Sequence, residues 1–282
     1  MKFKTFYRTY YTHRIKKASI LLKFIIFFKL PFNYLINRIL YPSVIDLDKL
    51  ALKKNYLFNK NLEFLFQYFN SDKGNFFFNQ YDKPIKKDKK IVDGHSYHKF
   101  YEKFFKPKKS KASNILELGS FKGNATAAFY FYFKNANFIS CDLYTDFFIY
   151  KSKRIKQLEI DNSSETELKD KIINKSLLFD IIIEDAGHYL KDQIISLFIL
   201  FQSLKPGGIF VIEELDFPDT RDDMNIHKER PTLREILNMV KNDIDFESAY
   251  VTKDQKNYFM ENIDEINVFK GKFNEIVFIR KR

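Results

Sequence analysis

From residue 114 onward, short apolar runs alternate with segments of helical spacing, and this alternation predicts strands and helices in turn. The apolar and β-branched runs predict the strands Ile115–Leu118, Asn137–Cys141, Ile155–Ile160, Phe179–Ile183, Ile209–Ile212, Glu265–Lys270 and Glu275–Arg280. Apolar or charged positions at helical spacing predict the helices Ala125–Phe133, Glu165–Asn174, Gln193–Leu204 and Leu233–Lys241.

Repeated strand–helix units predict a parallel sheet that helices cover on both faces. The last two predicted strands are joined by a turn containing Gly271, which predicts an antiparallel strand at one edge. We therefore expect an α/β fold, with an open, doubly wound, Rossmann-like sheet of seven mainly parallel strands. Such sheets bind their ligands beyond the carboxyl ends of the strands.

The chain before this region has a different pattern. Apolar positions predict helices over Asp46–Phe69 and Tyr97–Phe105, separated by a break at Ser71–Gly74 and a polar loop. We expect the Lys-rich stretches 83–90 and 106–111 to be solvated loops. The predicted division is a basic amphipathic arm (1–45), a helical cap segment (46–110) and the α/β domain (111–282).

The arm contains an apolar run, Ala18–Phe28, that Lys23 interrupts and that Lys29 and Pro31 follow. We interpret this run as too short and too charged to cross a bilayer, and it lacks the small-residue cleavage site of a signal peptide. Two alternatives stay open. Residues 1–30 form a helix on an anionic membrane surface, or the arm packs on the body or on a second subunit of a homo-oligomer. We expect a cytoplasmic protein, free or peripheral at the inner face of the membrane.

Composition changes this interpretation little. Hydrophobic residues make up 45% and charged residues 30%, as in soluble globular proteins. The one cysteine, Cys141, lies in an apolar run, which predicts a buried structural thiol and excludes an internal disulfide. The net charge of +12 is typical of proteins with polyanionic partners. Because the lysines are spread along the chain, nucleic acid is not the favoured partner.

Unusual residues collect where the predicted strands end. The segment Glu117–Gly123 predicts the end of a strand, followed by a loop that contains Gly119 and Gly123 and leads into a helix. This spacing differs from the G-x-G-x-x-G of dinucleotide-binding folds. Asp142 ends the next strand, where a carboxylate can accept hydrogen bonds from both hydroxyls of a ribose. Taken singly, each feature could be an ordinary turn or helix cap; together they favour a cofactor site.

These residues resemble motifs of the class I S-adenosylmethionine-dependent methyltransferases. Glu117–Gly123 is similar to their first motif, Asp142 to their ribose-binding acid, and Leu204–Gly208 to their turn before the fifth strand. The resemblance implies S-adenosylmethionine as cofactor. It implies cofactor contacts from Glu117, Gly119, Ser120, Gly123 and Asp142.

A narrower resemblance connects the chain with the macrocin and mycinamicin sugar O-methyltransferases and the cephalosporin hydroxylase-like proteins. Phe179–His188 is similar to their Asp-Asp-Gly-Ser-His segment, and Val211–Leu215 to their Ile-Glu-Asp segment. Ser71–Gly74 and His95–Glu102 resemble upstream elements of the same group. The resemblance implies Mg²⁺ held by Asp185, Glu213 and Glu214, and adenine contacts from Asp161 and Asn162. This chain departs from the group by having glutamate, not aspartate, at 184 and 214.

Elementary chemistry points the same way. Three carboxylates at the ends of two adjacent strands would repel one another unless a cation lay between them, and oxygen ligands suit Mg²⁺. A vicinal diol could chelate that ion, and His188 is the candidate general base. The structural alternatives are solvated carboxylates at 213 and 214, and a capping histidine at 188.

We expect O-methylation of a hydroxyl on a sugar or glycosylated small molecule, with the polar segment Asp216–Pro231 as a lid or acceptor-recognition loop. The first rival is an RNA or protein methyltransferase, which the net charge favours. The others are a non-methylating enzyme on the same fold and a degenerate S-adenosylmethionine-binding relative.

Overall fold

Strands and helices alternate along the second half of the chain, as the sequence predicts. The computed structural model describes residues 1–12, 15, 18–79 and 90–282, so the predicted loop 83–90 lies outside the described residues except for residue 90. The helices are α1 Phe3–Tyr10, α2 Ile20–Leu40, α3 Leu47–Lys53, α4 Leu62–Tyr68, α5 His98–Phe105, α6 Asn124–Tyr132, α7 Glu165–Lys171, α8 Leu190–Leu200, α9 Phe217–Thr220, α10 Leu233–Lys241 and α11 Lys253–Asn262. The strands are β1 Ile45–Asp46, β2 Phe76–Phe78, β3 Ile91–Asp93, β4 Asn114–Leu118, β5 Asn137–Asp142, β6 Tyr150–Lys151, β7 Ile155–Glu159, β8 Phe179–Glu184, β9 Leu204–Ile212, β10 Ile263–Lys270 and β11 Glu275–Lys281.

The described part of the chain contains one seven-stranded sheet, in the order β10-β11-β9-β8-β4-β5-β7. Its strands run parallel except β11, which is antiparallel to both β9 and β10. This confirms the predicted fold class, with the antiparallel pairing near one edge. The chain proceeds outward from β4 to β5 and β7, and then crosses to β8 and β9. The switch point therefore lies beside β4, where open α/β sheets bind ligands.

Each face of the sheet is covered by helices, and the cap segment covers one of them. Leu65, Phe66, Tyr101 and Phe105 of this segment are buried in one cluster with Phe129 of α6 and with apolar side chains of the sheet. On the other face, α8, α10 and α11 bury their side chains against the strands. The segment 46–110 thus shares its core with the sheet, and the three-part division of the chain stays a prediction.

Element boundaries differ from expectation where local caps intervene. The helix predicted over Asp46–Phe69 is interrupted, because Asn61 starts a new helix by accepting a hydrogen bond from the Phe64 N–H. The helix α11 was not predicted, since its ten residues bury one side chain, Phe259, and so show no apolar period. In contrast, α10 has the predicted bounds, fixed by a capping box between Thr232 and Glu235.

The N-terminal apolar helix is longer than expected. We expected the apolar run to end near Phe28, but α2 spans 21 residues and includes Pro31. An 18-residue window of α2 has a mean hydropathy of 1.5. Within the described residues, α2 is the one helix that is long and apolar enough to cross a membrane. This criterion uses length and composition alone, and core helices of soluble proteins and signal sequences also meet it. The expectation that this segment is too short is therefore wrong.

Candidate functional site

A cleft of about 820 Å³ opens beyond the carboxyl ends of β4, β5, β7 and β8. Most of the site residues predicted from the sequence line it, namely Glu117, Gly119, Ser120, Asp142, Asp161, Asn162, Asp185, His188 and Glu214. Gly123 and Glu213 do not line the cleft; Gly123 packs against the Phe148 ring. Residues up to 97 positions apart in the sequence therefore share one space.

The loop after β4, residues 119–123, is called the glycine loop, and its two glycines adopt backbone conformations that favour glycine. Gly119 and Gly123 have φ angles of +84° and +80°, in the left-handed region. A Cβ on Gly119 would lie 1.9 Å from the carbonyl oxygen of Asp185, and a Cβ on Gly123 would lie 2.5 Å from the Phe148 ring. The glycine loop is thus pressed directly against the residue that follows β8.

This close approach predicts unequal effects for two alanine substitutions. Gly207 also has a positive φ, +69°, but no atom lies within 4 Å of a Cβ placed there. We expect Gly207→Ala to lower the free energy of unfolding by about 1–2 kcal/mol through backbone strain alone. Gly119→Ala should lower it by about 3 kcal/mol or more, because the chain must also move away from Asp185. Urea unfolding of both variants measures the difference, and equal losses would contradict this account.

The two acids nearest the glycine loop are held in place by the protein. Asp142 accepts hydrogen bonds from the backbone N–H groups of Phe121 (2.8 Å) and Tyr144 (2.9 Å), one on each carboxylate oxygen. These bonds match the turn-forming alternative, yet Asp142 also lines the cleft, and a carboxylate can accept about four hydrogen bonds. Glu117 is buried and accepts a hydrogen bond from the Thr126 hydroxyl. Burial raises the pKa of Glu117 to about 7.

A polar turn after β7 completes this half of the cleft. Asp161 accepts hydrogen bonds from the backbone N–H (3.0 Å) and hydroxyl (2.7 Å) of Ser163. The Asn162 amide donates to Glu184 Oε1 at 3.2 Å. Burial raises the pKa of Glu184 to about 8, and this side chain, which is fully buried, does not line the cleft. Glu184 is therefore placed to support the turn rather than to bind a ligand.

An acid–histidine cluster forms the other half of the cleft. In the described part of the chain, Asp185, His188 and Glu214 bring ligand atoms within 4.8 Å of one another. His188 Nε2 lies 3.7 Å from Asp185 Oδ1 and 3.6 Å from Glu214 Oε2. Burial lowers the pKa of His188. Burial, followed by repulsion from Asp185 and Glu213, raises the pKa of Glu214 well above its usual value.

Glu213, a predicted metal ligand, is not brought into this cluster. Its carboxylate lies 2.7 Å from the ammonium of Lys73 and also accepts a hydrogen bond from the Tyr101 hydroxyl. All three side chains are fully buried or nearly so. Both residues follow the end of β9, and Glu214 has a φ of +48°, so the chain turns there; Glu214 lines the cleft, whereas Glu213 contacts Lys73 and Tyr101 of the cap segment.

The sequence interpretation assigned no role to Lys73, which also contacts Asp185. Burial by itself lowers the pKa of Lys73, but attraction to Asp185 and Glu213 outweighs it and raises this pKa well above its usual value. The one signal in the sequence was the resemblance of Ser71–Gly74 to a group element. His95, the first residue of the other upstream element, lies 3.3 Å from Glu214 Oε1 through its Nε2.

The segment Asp216–Pro231 borders the same cleft. Phe217 and Arg221 line it, and the Phe217 ring meets the His188 ring edge-on at a centroid distance of 5.3 Å. Arg221 lies over Phe217, 4.7 Å from the ring centroid. This placement leaves the segment in position to contact an acceptor next to His188, and its role as a lid stays a prediction.

Comparison with known proteins supplies two relevant similarities, and no protein-family profile matches the chain. Over 128 residues the chain is 26% identical to the 8-demethyl-8-alpha-L-rhamnosyl tetracenomycin-C 2'-O-methyltransferase of Streptomyces olivaceus, covering 43% of this chain and 33% of that protein. MycE, a methyltransferase from the mycinamycin biosynthetic pathway solved with Mg and SAH, superposes with a TM-score of 0.59 and 19% identity. A second MycE structure, with Mg, SAH and mycinamycin VI, gives a TM-score of 0.57 and 18% identity.

These similarities confirm the fold, and they agree with the family resemblance seen in the sequence. The MycE match covers 79% of this chain but 55% of the MycE chain, so the chain spans about half or less of the length of these relatives. At such identity the structural likeness establishes the α/β methyltransferase fold.

Proposed function

We propose that this chain is an S-adenosylmethionine-dependent methyltransferase that methylates a hydroxyl of a sugar or glycosylated small molecule with the help of a divalent metal. The observation that carries the proposal is the contact between the glycine loop and the acid–histidine cluster. Gly119 packs against the backbone of Asp185, so a methyl donor on the loop would lie beside the cluster. Methyl transfer requires this proximity of donor, hydroxyl and base.

The relatives support the nature of the acceptor. One is by name a 2'-O-methyltransferase of a rhamnosyl tetracenomycin, and the other has been solved with mycinamycin VI. They support the sugar-directed proposal and not the RNA or protein alternative. The cleft supports it too, because it joins a polar cluster to the aromatic Phe217, a combination suited to a hydroxylated ring.

The cofactor would be held by the predicted residues around the glycine loop. The Asp142 carboxylate would accept hydrogen bonds from the ribose hydroxyls, and Asp161 and Asn162 would border the adenine. Gly119 and Gly123 have no side chains, so that the backbone of the loop, including Ser120, can approach the ligand closely. Glu117 stands at the base of this half of the cleft.

The acid–histidine cluster fits a divalent cation. Glu214 Oε2 is buried and has no hydrogen-bond partner among the described residues, and it lies near Asp185 and His188. Burial, followed by repulsion from Asp185 and Glu213, raises the pKa of Glu214, and a cation there would stabilise its charged form. Asp185 and Glu214 would hold the metal. Glu213 would not be a ligand but would hold Lys73, which also contacts Asp185. When bound, Mg²⁺ would act as a Lewis acid that lowers the pKa of an acceptor hydroxyl.

His188 is the proposed general base. Its lowered pKa leaves the imidazole neutral at pH 7, so Nε2 can accept the proton of the acceptor hydroxyl. The edge-on contact with Phe217 fixes the plane of the ring. The backbone of His188 has a φ of +57°, in the left-handed region that few non-glycine residues adopt.

Calorimetric titration with S-adenosylhomocysteine tests the cofactor assignment. We expect saturable binding to the wild-type chain. Asp142→Asn, which keeps one acceptor oxygen for the turn, should weaken it about 10-fold to 100-fold by losing charge-assisted hydrogen bonds. Asp146→Asn is the matched control, since Asp146 accepts a hydrogen bond from Thr5 and does not line the cleft. Absence of binding to the wild type would refute the proposed cofactor class.

A second assay tests the acceptor class separately. Methyl incorporation into a glycoside bearing a vicinal diol should require magnesium and stop when a chelator is added. Incorporation into RNA or protein instead, with cofactor binding intact, would replace the acceptor proposal while leaving the cofactor proposal standing.

A further inference from the structure

The N-terminal arm carries an apolar surface that the proposed catalytic chemistry does not use. One side of the arm packs on the body: Phe6, Tyr10 and Leu30 are buried in a cluster with Phe147. The Thr5 hydroxyl donates to Asp146 at 2.9 Å, and the Asn33 amide donates to the Tyr11 hydroxyl at 2.9 Å. The arm is therefore attached, with a defined inner side.

The side of α2 that faces away from the body is broadly apolar, with exposed flanks such as Phe27 and Ile36, and its centre is a continuous stripe. Its members follow one another at spacings of three and four residues, which places them on one face of the helix. They are 52–81% exposed, although each is a large apolar side chain, and they are Leu21, Phe24, Phe28, Phe32, Leu35 and Ile39. At 1.5 Å per residue, a helix of 21 residues presents this stripe over about 30 Å. Contiguous apolar surface of this extent marks an interaction site.

The charge of the arm identifies the partner. Residues 1–45 contain nine Lys and Arg residues and no Asp or Glu, whereas the remaining residues contain 39 and 36 respectively. The lysines are spread along the chain, but the acidic residues are not, so most of the net charge of +12 lies in the arm. A basic segment beside an apolar helix face complements an anionic bilayer, where each basic residue near the surface contributes about 1 kcal/mol.

We propose that α2 docks on an anionic lipid bilayer with its axis in the membrane plane and with the stripe in the acyl boundary. Crossing the bilayer would require lipid on all sides of α2, but Leu30 and Asn37 are buried against the protein. Leaving that position would expose the aromatic cluster around Phe6. A symmetric dimer through the same stripe would bring two arms of nine cations together, which is unfavourable.

Docking in this orientation would bring the cleft close to the membrane. Phe121 belongs to the glycine loop, lines the cleft and packs against the same cluster as Phe6. The arm therefore touches the loop whose backbone donates to Asp142.

Vesicle flotation with the full chain tests the proposal. We expect the protein to float with phosphatidylcholine/phosphatidylglycerol vesicles, to bind pure phosphatidylcholine vesicles weakly, and to be released by raised salt. The double variant Phe28→Glu/Phe32→Glu should bind at least about tenfold more weakly, because two apolar side chains no longer enter the lipid. The matched control is Leu52→Glu/Ile226→Glu, which changes two exposed side chains elsewhere (86% and 73%) and should bind like the wild type.

Circular dichroism melting of both double variants checks that the fold is kept, as expected for exposed positions. Equal flotation of the two double variants, or no flotation of the wild type, would overturn the proposal. So would a wild-type dimer that ignores vesicles and becomes monomeric on Phe28→Glu/Phe32→Glu. Retention of the protein in vesicles after an alkaline carbonate wash would show insertion across the bilayer instead of docking in its plane.

Discussion

Replacing His188 with asparagine should lower kcat for methyl transfer by about 10²-fold to 10⁴-fold, the usual contribution of a general base. Asparagine suits the test because the residue has a φ of +57°, which asparagine tolerates better than alanine does. The amide is polar and of similar reach, but it cannot accept a proton near neutral pH. Single-turnover kinetics with saturating cofactor measure the loss.

Two measurements distinguish a base from a structural residue at this position. S-adenosylhomocysteine should bind His188→Asn and the wild type with similar affinity, since the ring faces Asp185 and Glu214 rather than the glycine loop. His98→Asn is the matched control, because His98 lies outside the cleft, 4.0 Å from Glu63. An active His188→Asn variant would refute the assignment, and loss of cofactor binding would indicate a structural role.

The sheet and the ends of its strands could be predicted because their signals are local. The buried strand β8 is an apolar run in the sequence, and the residue after it, Asp185, therefore lies at the carboxyl edge of the sheet. The placement of Asp142, Asp185 and Glu214 in one cleft follows from strand order alone. The same reasoning predicted α10, whose first turn is fixed by neighbours in the sequence.

The remainder depends on partners that are distant in the sequence. Nothing near Glu213 indicates that it would contact Lys73, because 140 residues separate them and the contact forms only when the cap segment packs on the sheet. The extent of α2 was underestimated because Pro31 signals a helix end, although a proline within a helix removes only one backbone hydrogen bond directly. Here Leu30, the residue before Pro31, is buried in the aromatic cluster, a tertiary contact that the local sequence does not reveal.

Lys73 provides the second large effect, on stability. Its ammonium is fully buried between Asp185 and Glu213, and Tyr101 donates to the same Glu213 oxygen. Lys73→Met keeps the apolar stem but leaves these two carboxylates without a cation. We expect the free energy of unfolding to fall by about 3–5 kcal/mol, as when one partner of a buried ion pair is removed. Urea unfolding in chelator measures it.

Lys281→Met is the matched control for the loss of a buried ammonium. The Lys281 ammonium donates to the carbonyl of Leu204 (2.8 Å) and to the hydroxyl of Tyr258 (2.6 Å), which are neutral groups. Its removal leaves no charge unpaired at that place, so the loss should be about 1–3 kcal/mol. If the two variants were destabilised equally, the carboxylates at Lys73 would not be the cause.

Magnesium should affect the free energy of unfolding of Lys73→Met and Lys281→Met differently. In Lys73→Met, Asp185 is freed from the ammonium and stands within the cluster that includes Glu214, so a divalent cation can replace the lost charge. A ligand that binds only the folded state stabilises it by RT ln(1 + [L]/Kd), or about 2.7 kcal/mol at 100 times Kd. Added magnesium should therefore restore stability to Lys73→Met more than to the wild type, and not preferentially to Lys281→Met. Equal responses would mean that Lys73 and the metal do not share these carboxylates, and the assignment of Asp185 as a ligand would have to be withdrawn.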